Sequence, residues 1–93
     1  MVLERKIKVL NEYGLHSRPA SSLVRMAQKY DSDVFLYKVE DGSKKADCKS
    51  VLSILLLGAK KGTELILYSN GHDAHAAIEE ISGFFNRYFD EVV

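Results

Sequence analysis

The sequence predicts an α+β fold: a two-layer open-faced sandwich whose four-stranded antiparallel sheet carries three helices on one face, in the order β-α-β-β-α-β-α. Three observations predict it. Segments with apolar residues at alternate positions interleave with segments whose apolar residues recur at three- and four-residue steps, the periods of strand and helix. The strand-like segments alternate apolar with polar, which leaves one sheet face wet and gathers the helices on the other. The chain has 93 residues and no Pro/Gly-rich linker, repeat or low-complexity tract, so one domain over residues 1–93 is expected.

The first strand places Leu3, Ile7 and Val9 on one face, with Arg5 as the exception, and ends near Leu10. Asn11-Glu12-Tyr13-Gly14 supplies turn residues, and Gly14 can take a positive φ or allow close backbone approach. From Ser17, residues Ala20, Leu23, Val24, Ala27 and Tyr30 mark one face of a helix, with Pro19 suited to its first turn. Val34–Val39 is β-branched and aromatic and reads as the second strand. Asp41-Gly42-Ser43 offers hairpin-turn chemistry before a short third strand over Lys44–Asp47. Ser50–Leu57 is a compact apolar helix that Gly58 ends, and Thr63–Ser69 alternates as the fourth strand. Asn70-Gly71 turns the chain, Asp73 caps the last helix, and Ala74, Ala77, Ile78, Ile81, Phe85 and Tyr88 form its inward face.

Thirteen Lys/Arg balance thirteen Asp/Glu, and this neutrality excludes bulk attraction to nucleic acid or an anionic membrane. The balance is uneven: residues 1–62 hold 12 bases and 7 acids, net +5, and residues 63–93 hold 1 base and 6 acids, net −5. A lone cysteine, Cys48, forms no intramolecular disulfide and reads as a small apolar filler. The longest uncharged run, Ser50–Ala59, has ten residues, against the ~20 of a membrane span. The first nine residues interleave charges with apolar positions and lack a secretory signal's apolar run, so a cytoplasmic protein is expected. His72 and His75 sit at i, i+3 around Asp73, but no further His or Cys stands at matching spacing. They read as surface residues, and no metal is expected.

One segment exceeds what a core requires: Gly14-Leu15-His16-Ser17-Arg18-Pro19-Ala20. A histidine stands where a glycine turn meets a helix start, with an arginine two residues on. The first helical turn has N–H groups without intrahelical partners and a partial positive charge, and it attracts phosphate-like anions. Arg18 adds a fork of donors that matches phosphate oxygens, and Ser17 is a small residue in the phosphate-holding helix start. Positive charge beside an imidazole disfavours its protonation, which leaves a ring nitrogen to act as nucleophile. The combination specifies a phosphohistidine carrier that needs no metal, cofactor or nucleotide-binding loop.

The segment Asn11–Ala20 closely resembles the active-site motif of HPr, the histidine-containing phosphocarrier of the bacterial phosphoenolpyruvate:sugar phosphotransferase system (PTS). Lys49-Ser50-Val51-Leu52 with Gly58 resembles the family's regulatory-serine region, and Gly71-x-Asp73-x-x-x-Ala77 its turn into the last helix. The resemblance spans nearly the whole chain and implies the fold expected above. It implies that His16 accepts a phosphoryl group from phospho-enzyme I, ultimately from phosphoenolpyruvate, on Nδ1. Arg18 would steady the group before it passes to an enzyme IIA domain. The chain would then be a carrier, not an enzyme, and most simply a monomer.

Six of the seven residues from Val51 to Leu57 are apolar, more than one stripe can bury. Ile54 and Leu57 suit the core; Val51, Leu52 and Leu55, with Lys49 beside them, match the family's docking positions. Ser50 matches the serine phosphorylated by an ATP-dependent HPr kinase/phosphorylase in some members, where a phosphate adds about −1.5 to −2 charge. A second function therefore stands beside the first: a regulatory PTS-type module acting by Ser50- or His16-phosphate-dependent docking, for example to a transcriptional regulator. Three departures from the family pattern limit what the resemblance carries over, the first of them a small residue that should be tolerated. Ser17 replaces the usual Ala or Thr, the Lys38–Lys45 hairpin is enlarged, and the chain runs on through Asp90-Glu91-Val92-Val93.

Overall fold

Alternation and helical spacing resolve into seven elements in a computed structural model that describes residues 1–87. They are β1 (Val2–Lys8), α1 (Ser17–Ala27), β2 (Asp33–Lys38), β3 (Asp41–Asp47), α2 (Val51–Leu57), β4 (Glu64–Asn70) and α3 (Ala74–Asn86). The strands form one antiparallel sheet in the order β1-β4-β2-β3. Tyr88 of the expected helix face and the Asp90–Val93 run lie outside the described residues.

Register decides which face is buried. Ile7 stands opposite Leu65, Leu36 opposite both Leu67 and Ala46, and Val34 opposite Ser69, and all seven are buried toward the helices. There they meet Ala20, Leu23, Val24 and Ala27 of α1, Ile54 and Leu57 of α2, and Ala77, Ile78, Ile81 and Phe85 of α3. The other face is open. Phe35 and Tyr37 each lie against Tyr68, with ring centroids 6.0 and 6.2 Å apart, and the Lys45 ammonium sits 5.0 Å from the Phe35 centroid. Arg5, the exception on the inward face of β1, is resolved by α3. Its guanidinium donates to Ser82 Oγ at 2.9 Å and to Glu79 Oε2 at 2.7 Å.

Two local expectations are corrected. Asp41-Gly42-Ser43 is not the hairpin turn. The chain reverses over Val39-Glu40, because Val39 N–H donates to the Glu64 carbonyl (3.0 Å) and stays bound to β4 until the reversal. Lys38 then pairs with Asp41, but Tyr37 pairs with Lys45, so Gly42, Ser43 and Lys44 are surplus and form a bulge inside a longer β3. The Asp41 carboxylate accepts from Ser43 N–H (3.1 Å) and Ser43 Oγ–H (2.6 Å) across this bulge. The enlargement is therefore carried by the strand, not by a loop.

Asp73 precedes α3 but makes no side-chain cap. Its carboxylate accepts from Asp31 N–H (2.9 Å), Ser32 N–H (3.0 Å) and the Ser32 hydroxyl, which binds the loop after α1 to the loop before α3. These donors hold the Asp73 carboxyl down at about 2, the Ser32 hydroxyl contributing most. Gly71, at φ 151°, packs its Cα on Ser32 at the same junction, where a side chain would collide.

Candidate functional site

The loop that carries His16 is fixed from behind. Gly14 adopts φ 69°, and a Cβ there would stand 2.5 Å from the Ala59 carbonyl oxygen. This close approach lets Leu15 N–H donate to that same carbonyl at 2.9 Å, while the Leu15 side chain is buried. The Lys61 ammonium adds an exposed ion pair to Glu12 at 3.1 Å. The start of α1 is thereby held against the residues that leave α2.

His16 is the N-cap residue of α1, extended at φ −82° and ψ −174°, and its ring makes no capping hydrogen bond. The half-exposed imidazole stands edge-on to Tyr13, centroids 6.2 Å apart. The His16 carbonyl accepts the first helical bond, from Ala20 N–H at 3.0 Å. The N–H groups of Ser17 and Arg18 thus precede the intrahelical ladder, and Pro19 has none to satisfy. Ser17 and Arg18 are exposed while Pro19 is buried, so the helix start presents donors outward over an apolar anchor. Among the described residues Arg18 forms no ion pair or side-chain hydrogen bond. An unspent imidazole, outward backbone donors and an uncommitted guanidinium lie within three consecutive residues.

Ser50 is the N-cap of α2, and its Oγ accepts from Ser53 N–H at 3.1 Å. Gly58 ends the helix in the left-handed conformation at φ 66°, as expected. Lys49 is half-buried, its ammonium donating to the Tyr30 carbonyl beyond the end of α1 at 2.8 Å. Val51 is half-buried against the core, whereas Leu52 and Leu55 are exposed. The sequence reading missed Leu56, which at 76% is more exposed than either. Its signal was available: Leu52, Leu55 and Leu56 stand at i, i+3 and i+4, one stripe of a helix whose opposite stripe is Ile54 and Leu57. Tyr13, also 76% exposed beside His16, was missed as well.

The remaining candidates fall away from this surface. Cys48 is fully buried, and burial pushes its thiol well above the ordinary range. His75 lies 3.9 Å from Glu79, and His72 lies 3.0 Å from Asp31, so the two imidazoles face different partners. Among the described residues no helix is long and apolar enough to cross a membrane.

An open-faced α+β sandwich with a half-exposed histidine at a helix start is the architecture of a small domain able to bind an anion beside a nucleophilic side chain. The comparisons with known proteins give the family. The chain belongs to the PTS HPr family: a family model described as the PTS HPr component phosphorylation site matches residues 3–87. The phosphocarrier protein NPr of Shewanella violacea is 36% identical over 89 residues, covering 96% of this chain and 94% of the relative. The HPr-like protein Crh of Bacillus subtilis is 36% identical over 83 residues, covering 89% and 94%. Among solved structures, an HPr from Thermoanaerobacter tengcongensis superposes with TM-score 0.88 at 32% identity, covering 98% of this chain and 99% of that one. An HPr dimer from the same organism matches with TM-score 0.73 at 33% identity, covering 91% and 94%. The chain is thus an HPr-like phosphocarrier of the phosphotransferase system rather than an enzyme.

Proposed function

We propose that His16 carries the phosphoryl group, received from phospho-enzyme I in the cytoplasm and passed to an enzyme IIA domain. The carrying observation is the uncapped imidazole of His16 at the start of α1, directly before two outward N–H groups and Arg18. In each transfer one phosphorus–nitrogen bond forms as another breaks: the donor histidine releases the group as a His16 ring nitrogen accepts it. The added dianion then lies at the positive end of α1, within reach of the Arg18 fork. The rigid attachment through Gly14 and Leu15 supports the same role, because a displacement between two proteins needs a donor that holds its geometry. Leu52, Leu55 and Leu56, with Val51 and Lys49 at the base of the same helix, form the apolar ground on which partners dock.

Incubation with phosphoenolpyruvate and enzyme I tests this. An acid-labile, alkali-stable phosphoprotein is expected in the wild type and none in His16→Ala; label surviving in that variant overturns the assignment.

A second output is supported by Ser50. Its hydroxyl is half-exposed at the N-cap of α2, and the chain is also similar to an HPr-like protein, Crh. A phosphate placed there by an ATP-dependent HPr kinase would add about −2 charge beside the docking leucines, repelling an acidic partner and offering an anion to a different one, such as a transcriptional regulator. The expected product is an acid-stable phosphate absent from Ser50→Ala. The carrier works as one copy; because a related HPr forms a dimer, sedimentation of both phospho-forms checks this.

A further inference from the structure

We infer that Asp31, His72 and Asp73 form a binding site for one borderline divalent cation of the zinc or nickel class. The site lies where the loop after α1 meets the loop before α3. Sequence spacing offered His72 and His75 around Asp73; the fold turns His75 toward Glu79 and brings Asp31 to the other two. One donor atom from each residue falls within 4.8 Å of the others. His72 Nε2 and Asp31 Oδ2 are 3.0 Å apart, a hydrogen-bonded pair. Two ligands of one cation with bonds of about 2.1 Å stand about 3.4 Å apart at the tetrahedral angle and about 3.0 Å at a right angle, so the pair has to open by no more than about 0.4 Å to hold an ion.

The two loops are held in place before any ion arrives. Asp73 Oδ1 accepts from both Ser32 N–H and the Ser32 hydroxyl, and Oδ2 accepts from Asp31 N–H, which leaves Oδ2 capacity for one further partner. Gly71 packed on Ser32 closes the same junction. Asp31 and His72 are themselves 84% and 75% exposed in their side chains, so water can complete the coordination. Two carboxylates around one neutral imidazole leave two negative charges for a dication to neutralise. The positive end of α3 opposes this with only about half a charge. An imidazole among so few oxygens favours a borderline metal over Mg²⁺ or Ca²⁺, which take six or more oxygen ligands. Asp31 follows the far end of α1 from His16, and eleven helical residues separate the two ends by about 16 Å. The cation site is therefore distinct from the phosphoryl site.

Isothermal titration of the full chain with ZnCl₂ in chelator-free buffer tests this. One saturable site is expected, with binding weakened at least tenfold in His72→Gln and in Asp31→Asn and unchanged in His75→Gln and His16→Ala. NiCl₂ should bind and MgCl₂ should not. All of these side chains are exposed or half-exposed, and circular dichroism establishes that each variant is folded. Absence of a saturable site overturns the proposal. So does zinc binding that survives both His72→Gln and Asp31→Asn, or that is lost in His75→Gln or His16→Ala.

Discussion

Gly14 shows how one residue can set the geometry of a site without touching its chemistry. A methyl group there meets the Ala59 carbonyl at 2.5 Å and forces a positive φ on a residue with a Cβ. Gly14→Ala is expected to destabilise the fold by about 2–4 kcal/mol in urea unfolding, and to slow phosphoryl transfer even where the protein is folded. Unchanged kinetics in the folded variant would mean that the His16 loop does not depend on this attachment. Arg18→Ala should do the opposite, slowing transfer while leaving the unfolding midpoint unmoved, because Arg18 holds no structural partner among the described residues. Ser50→Ala sits between these cases: loss of its bond to Ser53 N–H should lower stability by about 1 kcal/mol. The seat of His16 was legible in the sequence because Gly, His, Arg and Pro each have a narrow set of backbone and charge preferences. Asp73 was not. An aspartate before a helix has local donors by default, and only the fold brings Asp31 and Ser32 close enough to outcompete them.

At the scale of elements, α2 has a buried stripe that packs on the core and an exposed stripe that is the docking face proposed above. Ile54 is fully buried, and Ile54→Ala should lower stability by about 2–5 kcal/mol. Leu52→Asp and Leu56→Asp, on the exposed stripe, should shift it by no more than about 0.5 kcal/mol. The same two variants should slow transfer from enzyme I or to an enzyme IIA domain, read as a raised KM. Transfer at wild-type KM in both variants would remove this face from the docking surface. The order of the seven elements was legible, and so were the faces of most of them, because their apolar residues keep the strand or helix period. Strand β3, whose one apolar side chain is Ala46, was placed only by the turn residues before it. The β2–β3 connection was misplaced because Asp41-Gly42-Ser43 has good turn chemistry, and the hydrogen bond from Val39 to Glu64, on a strand distant in sequence, decides where the chain reverses. Helix α1 stops at Ala27 rather than reaching Tyr30 for a similar reason. Tyr30 is drawn off to Glu80 of α3, whose carboxylate accepts its hydroxyl and pushes the phenol up to about 12.

For the whole molecule, the +5 and −5 parts of the sequence turn out to be partners. Glu64 lies 3.5 Å from Lys6, Glu79 2.7 Å from Arg5 and Glu80 2.6 Å from Lys29, so much of the acidic third is matched by bases of the first sixty residues. Besides its apolar face, α3 is fastened through Asp73 to the loop after α1, through Glu79 and Ser82 to Arg5 of β1, and through Glu80 to Lys29 and Tyr30. Hydrogen bonds from Ser32, Arg5 and Lys29, respectively, are the largest causes that hold these three carboxyls below their ordinary range. In the unfolded chain they bind protons near pH 4, and in the folded protein only at lower pH. Their stabilisation is therefore present above about pH 4 and is lost as pH falls toward about 2, the value of Asp73. His72 has the opposite sign. Its hydrogen bond to Asp31 raises its pKa, so its contribution is present in acid and disappears as pH rises through the folded value. Glu79 and His72 are exposed and Asp73 and Glu80 half-exposed, and solvent screening keeps each effect small. Urea midpoints measured with a chelator present should fall from pH 6 to pH 2.5. The combined Asp73→Asn, Glu79→Gln, Glu80→Gln protein should start lower at pH 6 and change less on acidification, while His72→Gln should remove a slight decline between pH 6 and 8. A triple variant with the wild-type acid slope would show that the apolar face alone holds α3, and that the charge asymmetry of the chain is not used within the fold.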